Sequence, residues 1–546
     1  MLFRSGLGAH ATLDSLIVVW GNEDRTVRTN VPADQLYTIA REDLTASTAA
    51  LKKKQTPRYL TMNSTYGGRT ETPFSQFNEE RLIPQMTTTE GARLAMADVN
   101  GDGYMDFYQC GSTDQPGQLF FGSDWYGFEE SIRTPFIQHA ACEDTDAQFF
   151  DYDGDGDLDL YVASGAMEAE NGSDALVDRI YKNDGRGHFT YDANALPNLP
   201  IRTSSIAVAD FDGDGLDDVF VGVRGVKGRY GVPGSSLFYK NYGDGVLRNE
   251  RLTSRGFERI GMLTDCAAGD VDGDGDQDLV AVGDWQGVRL WMNDGGRFAE
   301  RTLEAGFNYS QGLWNTIRLE DLDGDGALDI VAGNLGENCR LEASPEKPMV
   351  LFVNDFDANT YSDPILCSYW GDTLFPRVLR HNLISQLPYL KKENLKYADY
   401  AGKSVFEVFD TTQLERSALL QVQTLRTTCF YNNGNGVFAH AALPIQAQTA
   451  PVYAIDALDV DGDGDKDLVL GGNLYEVQPE WGRYDGSRGT VLLNTGNREW
   501  RAATQLQSGL NIDGQVRDIV HYERDGETFV LFSKVDGPLE EYKRSN

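Results

Sequence analysis

Three regularities in this chain predict an all-β fold, a β-propeller of four-stranded sheets. One nine-residue pattern, Asp-x-Asp/Asn-x-Asp-Gly-x-x-Asp, occurs six times in 546 residues. Copies start at Asp98, Asp151, Asp210, Asp270 and Asp321, spaced by 53, 59, 60 and 51 residues, and once more at Asp459. A period in this range marks a repeat architecture, and four short strands per repeat point to a propeller. An apolar run, an Asn-rich turn and an aromatic residue also recur, as in Tyr181–Phe189 (YKNDGRGHF), Leu290–Phe298 (LWMNDGGRF) and Phe430–Phe438 (FYNNGNGVF). Asn-Gly and Asn-Asp-Gly supply the positive φ that tight hairpins need. The unit therefore reads strand, acidic loop, strand, connection, strand, Asn-Gly turn, strand.

Each acidic loop reads as a calcium site. Oxygens at positions 1, 3 and 5 converge because Gly at position 6 permits a sharp turn, position 7 offers its backbone carbonyl, and position 9 closes the cage. The first loop supplies Asp98, Asn100, Asp102, Tyr104 and Asp106; the second Asp151, Asp153, Asp155, Asp157 and Asp159. The third supplies Asp210, Asp212, Asp214, Leu216 and Asp218; the fourth Asp270, Asp272, Asp274, Asp276 and Asp278. The fifth supplies Asp321, Asp323, Asp325, Ala327 and Asp329; the sixth Asp459, Asp461, Asp463, Asp465 and Asp467. Two unit charges about 4 Å apart repel by roughly 4 kcal/mol at an effective dielectric near 20, so such loops call for a cation. Position 12 is Gln109, Val162, Val221, Ala281, Ala332 or Leu470, never the chelating Glu of an EF-hand. The flanks, such as Ile206–Ala209 and Val219–Val221, are strand-like, so each of about six Ca²⁺ ions would staple a hairpin.

The repeats are less regular in two places. Between Asp321 and Asp459 lie 138 residues, room for two blades or for one blade with a large insertion. That stretch holds Asp355–Asp363, which keeps acids at positions 1, 3 and 9 but has Thr360 where Gly belongs, the mark of a weak or empty site. A helix-like segment with Lys391, Lys392 and Lys396 follows, giving an insertion over about 372–422 that packs on one face or binds a partner. The turn Tyr522–Glu527 reads as a degenerate seventh loop. Seven blades are expected, eight being the alternative.

With its loops and turns in fixed order, the chain resembles the FG-GAP/VCBS-repeat propellers, which include integrin α-subunit heads and cartilage acidic protein. The resemblance covers roughly residues 73–546 and is closest to large secreted bacterial members, through Gly91–Gly103 (GARLAMADVNGDG) and Gly333–Cys339 (GNLGENC). Residues 5–45 are similar to the second half of an ASPIC/UnbV domain, except that its usual turn is here Trp20-Gly21-Asn22-Glu23. This divides the chain into a partial ASPIC/UnbV-like β domain over 1–45, a linker over 46–72 and the propeller over 73–546. Because the first domain begins in its middle, the chain is expected to be the C-terminal piece of a longer protein.

Composition narrows the function. A net charge of −36 argues against nucleic acid and anionic membranes, which call for basic patches. No apolar run approaches the 18 or more residues of a spanning helix. Six widely spaced cysteines show no zinc pattern, and Cys110 with Cys142 are placed for a disulfide, buried free thiols being the alternative. The six histidines form no His-Glu-x-x-His, and neither a Gly-x-Ser-x-Gly elbow nor a phosphate-cradling loop is present. A non-enzymatic binding surface is the better expectation, on the face opposite the acidic loops, where Arg229, Tyr230, Trp481, Arg483 and Tyr484 either stack on a ligand or brace neighbouring blades. The resemblance implies an extracellular, periplasmic or surface-displayed recognition module for a glycan or protein. The rivals are a polysaccharide lyase or hydrolase on a calcium-stabilised propeller, and a structural spacer.

Overall fold

The computed structural model describes residues 11–19, 25–33, 35, 37–39, 58–125, 127–131 and 135–545. The chain divides into two compact units, Met1–Pro57 and Arg58–Asn546. In the first, Thr12–Val19 and Arg25–Pro32 form an antiparallel hairpin in register from Thr12↔Pro32 to Val19↔Arg25. The expected turn at Trp20–Glu23 lies outside the described residues.

In the second unit each acidic loop joins the first strand of a sheet to its second, and position 9 is the first residue of that second strand. The first sheet runs Leu94–Ala97, Asp106–Gln109, Gln118–Ser123, Gly127–Glu130. Sheets led by Asp144–Phe150, Arg202–Ala209, Met262–Gly269, Thr316–Glu320 and Val452–Leu458 repeat the same antiparallel order. A further sheet runs Val516–Arg524, Glu527–Lys534, Gly537–Arg544 and then Leu60–Arg69, so its outer strand comes from the other end of the unit. Leading strands touch in sequence around a closed ring, the strand Val516–Arg524 returning to Leu94–Ala97.

Every seam in the ring has its own apolar filling, because side chains alternate across each strand and the two faces meet different neighbours. Ala95, Tyr108 and Leu119 meet Ala147, Leu160 and Tyr181 at one seam. Phe107, Phe120 and Phe128 meet Tyr522, Phe529 and Leu531 where the ring closes. Near the axis, buried carboxylates fasten one leading strand to the next. Asp146 Oδ2 accepts from Ile206 N at 2.9 Å, Asp265 Oδ2 from Ile317 N at 3.0 Å and Asp518 Oδ2 from Leu94 N at 2.8 Å. Arg93 lies 3.4 Å from Asp265 and partly offsets this concentration of charge.

Three expectations are corrected here. Residues Leu60–Arg69, assigned to a linker, are a strand that pairs with Gly537–Arg544. Tyr522–Glu527 is no degenerate loop: Arg524 pairs directly with Glu527 across a two-residue turn, with Asp525 and Gly526 at φ 53° and 74°. The insertion is larger than 372–422. It divides the fifth sheet between Asp329–Gly333 and Thr428–Asn432, and holds both a four-stranded sheet (Thr373–Pro376, Asp363–Trp370, Met349–Asn354, Ala418–Val422) and short helices between Arg380 and Glu415.

Two predictions follow from the ring. Relative to a chain beginning at Arg58, one beginning at Thr70 loses a full ladder and the buried Leu60, and calorimetry should find it melting well below. Equal melting would mean the strand is dispensable. Burial pushes the Asp146 carboxyl up to about 7, against the pull of Arg93. The folded state therefore holds a proton that the unfolded chain releases near pH 4, and Asp146 costs progressively more stability as pH rises through roughly 4 to 7. The Asn variant does not titrate, so any deficit in melting temperature of Asp146→Asn should be larger at pH 5 than at pH 8. A gap that widens with pH would contradict this.

Candidate metal centres and the opposite face

Each loop is built around its first aspartate. Asp98 Oδ1 accepts from Gly101 N at 2.8 Å and Oδ2 from Gly103 N at 2.9 Å. Asp151, Asp210, Asp270, Asp321 and Asp459 make the same pair of bonds to positions 4 and 6. Both positions lie at positive φ: Gly101 and Gly103, for example, at 72° and 89°. Sequence reasoning found the need for glycine at position 6 and missed it at position 4. Position 5 then orients itself by accepting from position 7, as Asp102 does from Tyr104 at 2.9 Å.

The loops bring carboxylates together. Ligand-capable oxygens of Asp151, Asp153 and Asp159 lie within 4.8 Å of one another, as do those of Asp210, Asp212 and Asp214, of Asp270, Asp272 and Asp278, and of Asp321, Asp323 and Asp325. Asp355, Asp357 and Asp363 in the inserted sheet form another such group. That loop keeps the position-6 bond, Thr360 N to Asp355 Oδ2 at 2.8 Å, and a bond from Phe356 N to Asp363 Oδ2 at 2.9 Å, but Asp355 Oδ1 accepts from Asn359 N at position 5 instead of position 4. It does so with Ala358 and Thr360 at φ 60° and 77°, a conformation costing about 1–2 kcal/mol for each non-glycine residue.

Position 9 is fully buried in every loop. Asp329 is typical: Oδ2 accepts from Leu322 N in its own loop at 3.1 Å, and Oδ1 accepts from Asn432 N on the third strand at 2.7 Å. Burial raises these carboxyls, to about 7 for Asp106, Asp159, Asp218 and Asp467 and to about 6 for Asp278, Asp329 and Asp363, although the N–H donors pull the other way. A carboxylate-rich, oxygen-only set with no soft ligand suits a hard divalent cation such as Ca²⁺.

The Asn of the recurring turn does more than shape a hairpin. Asn432 Nδ2 donates to Leu328 O in its own sheet at 3.1 Å and to Val271 O in the preceding sheet's loop at 2.6 Å. Asn183, Asn293 and Asn494 make the same two bonds. Asn241 is the exception: its Nδ2 and the Oδ2 of Asp218 are buried without a partner. Lys182 and Lys240 reach the second and third loops and hold Asp155 and Asp214 below the usual carboxylate range through hydrogen bonds. Arg498 reaches Asp323 of the fifth loop at 2.7 Å.

On the opposite face the expected ligand residues separate. Tyr230 and Tyr484, 7% and 8% exposed, join an apolar cluster with Leu351, Val353 and Leu366 of the inserted sheet. Tyr230 also donates to Asp284 at 3.2 Å and accepts from Trp285 Nε1 at 2.9 Å. These two tyrosines are covered, because the inserted sheet lies over them. Arg229 and Arg483 remain exposed, and Trp481 is half-buried beneath the Arg377 guanidinium. Arg483 stacks on Tyr475, 3.6 Å from the ring centre. Beside this cover a cavity of about 480 Å³ is lined by Glu79, Glu80, Lys227, Tyr361, Asp363 and Gln386, among others. All six cysteines are free, so Cys110 and Cys142 form no disulfide; both thiols are buried, and burial raises them.

The FG-GAP-like repeat family matches residues 151–221 and 270–332, which span the second to third and the fourth to fifth loops. No curated protein matches the sequence. Among solved structures, the chain is similar to BBS1N in complex with ARL6DN at 11% identity, over 90% of this chain and 98% of that one, with a TM-score of 0.41. It is similar to the V. cholerae biofilm matrix protein Bap1 at 12% identity, over 89% and 91%, with a TM-score of 0.34. It is similar to Saccharomyces cerevisiae Sqt1 at 12% identity, over 89% and 100%, with a TM-score of 0.38. Residues 151–221 and 270–332 are thus FG-GAP-like repeats within a closed ring of four-stranded sheets, a β-propeller.

The Asn contacts make a discriminating prediction. Asn432→Ala takes the donor from a buried carbonyl, Val271 O, and from a part-buried one, Leu328 O, and should cost about 2–4 kcal/mol, on a scale of about 1–3 kcal/mol for a fully buried unsatisfied group. Asn241→Ala removes an amide that donates to nothing and should cost clearly less. Urea denaturation of the two variants decides it, and equal losses would deny the inter-sheet bond its weight.

Proposed function

We propose that this chain is an extracellular, calcium-binding β-propeller that serves as a recognition or adhesion module for a glycan or protein ligand. The observation that supports it best is the sixfold recurrence of one oxygen-lined loop at the same strand junction of successive sheets. We read the closed ring as seven blades, the sheet within Met349–Val422 as an insertion, and residues 1–45 as the later half of an ASPIC/UnbV-like domain. In each loop, positions 1, 3, 5 and 9 with the carbonyl of position 7 would hold the ion. The ion would supply charge neutralisation that lets these carboxylates stay ionised together. The chain's own residues provide the rest: glycines that let the loop close, and backbone donors that fix positions 1 and 9. Extracellular modules of this chemistry bind Ca²⁺ at about 10⁻⁴–10⁻³ M, so millimolar calcium would fill the loops.

The ligand face is the one bearing the inserted sheet. Tyr230 and Tyr484 serve as bracing there, while Arg229, Arg483 and Trp481 at the surface and the acidic cavity around Lys227 are the groups left to meet a ligand. Acidic residues are plentiful, but the repeated loop spacing accounts for them as ion ligands before acid–base chemistry.

Melting with Ca²⁺ and with chelator tests the metal. At about 100 times the dissociation constant a single site adds roughly 2.7 kcal/mol, so several sites should raise the midpoint strongly. An unchanged midpoint would sink the calcium reading. For the ligand, binding on a glycan array without new reducing or unsaturated ends is expected; release of such ends would favour the enzyme instead.

A further inference from the structure

The loops differ in what rests against their carboxylates. In the third, the Lys240 ammonium lies 2.7 Å from Asp212 Oδ1, 2.7 Å from Asp214 Oδ2 and 3.3 Å from Asp218 Oδ1, and the lysine side chain is 10% exposed. In the second, Lys182 pairs with Asp153 and lies 2.9 Å from Asp155, but it is 42% exposed. The two lysines occupy one register position, the residue before the third-strand Asn. In the next three sheets of the ring that position is Met292, Tyr431 and Leu493. Among the described residues, no Lys or Arg pairs with a carboxylate of the fourth loop, Asp270–Asp278.

We propose that Lys240, and to a smaller degree Lys182, is a tethered cation that holds its loop closed without Ca²⁺, so that the loops divide into calcium-dependent and calcium-independent classes. The proposal rests on the calcium reading above. An ammonium carried on the neighbouring strand is present at an effective concentration that solution conditions do not alter. The Lys240 side chain and Asp218 are shielded, while Asp212 and Asp214 are 32% and 42% exposed, so salt screens this cluster less than it screens a fully exposed pair. In this sheet Asn241 Nδ2 and Asp218 Oδ2 have no hydrogen-bond partner, so fewer fixed bonds stand beside the lysine here than in the fourth sheet. Ligand charge count tunes calcium affinity, and one added positive charge lowers the pull of these two loops on a free ion. A blade so equipped keeps its hairpin when calcium falls, while its neighbour with Met292 loosens.

Amide hydrogen exchange in Ca²⁺ and in chelator tests this loop by loop. In the wild type, chelation should speed exchange at Gly273, Gly275 and Asp276 by about tenfold or more, and at Gly213, Gly215 and Leu216 by less than about twofold. Lys240→Met, which copies the fourth sheet, should make the third loop respond like the fourth, whereas Lys240→Arg should keep it resistant. Circular dichroism in saturating Ca²⁺ shows whether each variant is folded, and if Lys240→Met is not, the comparison between wild-type loops stands as the test. Equal responses of the third and fourth wild-type loops overturn the proposal and leave the calcium reading intact. Indifference of every loop to Ca²⁺ overturns both.

Discussion

A buried carboxylate at the head of each second strand has no water to satisfy it, and must find its partners in the chain. Asp106, Asp159, Asp278, Asp329 and Asp467 do so by gripping the loop behind them with one oxygen and the third strand with the other. Loop, second strand and third strand are thereby fixed to one another through a single side chain. The third-strand Asn then passes the connection to the previous sheet. Repeated at Asn183, Asn293, Asn432 and Asn494, this couples acidic loops, sheets and seams across four boundaries of the ring. A burial-raised carboxylate held only by N–H donors is also an acceptor with lone pairs to spare, so the same constraint that builds the hairpin prepares it for a cation.

Much of this was legible in the sequence. The loop spacing announced the repeat, the glycine at position 6 announced the turn, and the aromatic after each Asn-Gly turn announced the fourth strand. What the sequence conceals is mostly non-local. The Asn in YKNDG reads locally as a turn former; only the packed ring shows Nδ2 reaching a carbonyl 84 residues away. Leu60–Arg69 carries no strand-like apolar alternation, because most of its side chains face solvent and Gly67-Gly68 interrupts the register. Its partner is near the other end of the chain, beyond any window of periodicity.

The inserted sheet was hidden for a different reason. Its loop retains the acidic spacing and its strands are as apolar as those of the ring, so pattern alone could not tell a nested sheet from an eighth blade. Its apolar face lies on Tyr230 and Tyr484, which in sequence looked like exposed anchors beside glycine and arginine. Aromatic residues in irregular loops are ambiguous between ligand contact and cover, and here a separate segment of the chain resolves two of them.

The strand Leu60–Arg69 leaves its mark on the order of events during synthesis. It emerges before any sheet of the ring, yet its partner Gly537–Arg544 is made after all the others; Tyr66 and Glu541, which it joins, are 475 residues apart. Six sheets can stack as they are produced, each seam filling when the next sheet arrives, but the ring stays open until Gly537–Arg544 has been made. The entropy of closing so long a loop grows only with the logarithm of its length, so closure is not prohibitive; it is merely late. Until then both the early strand and the open end of the stack offer unpaired backbone to other chains. The nascent protein is thus most vulnerable to misassociation in the interval between its sixth sheet and the strand Gly537–Arg544.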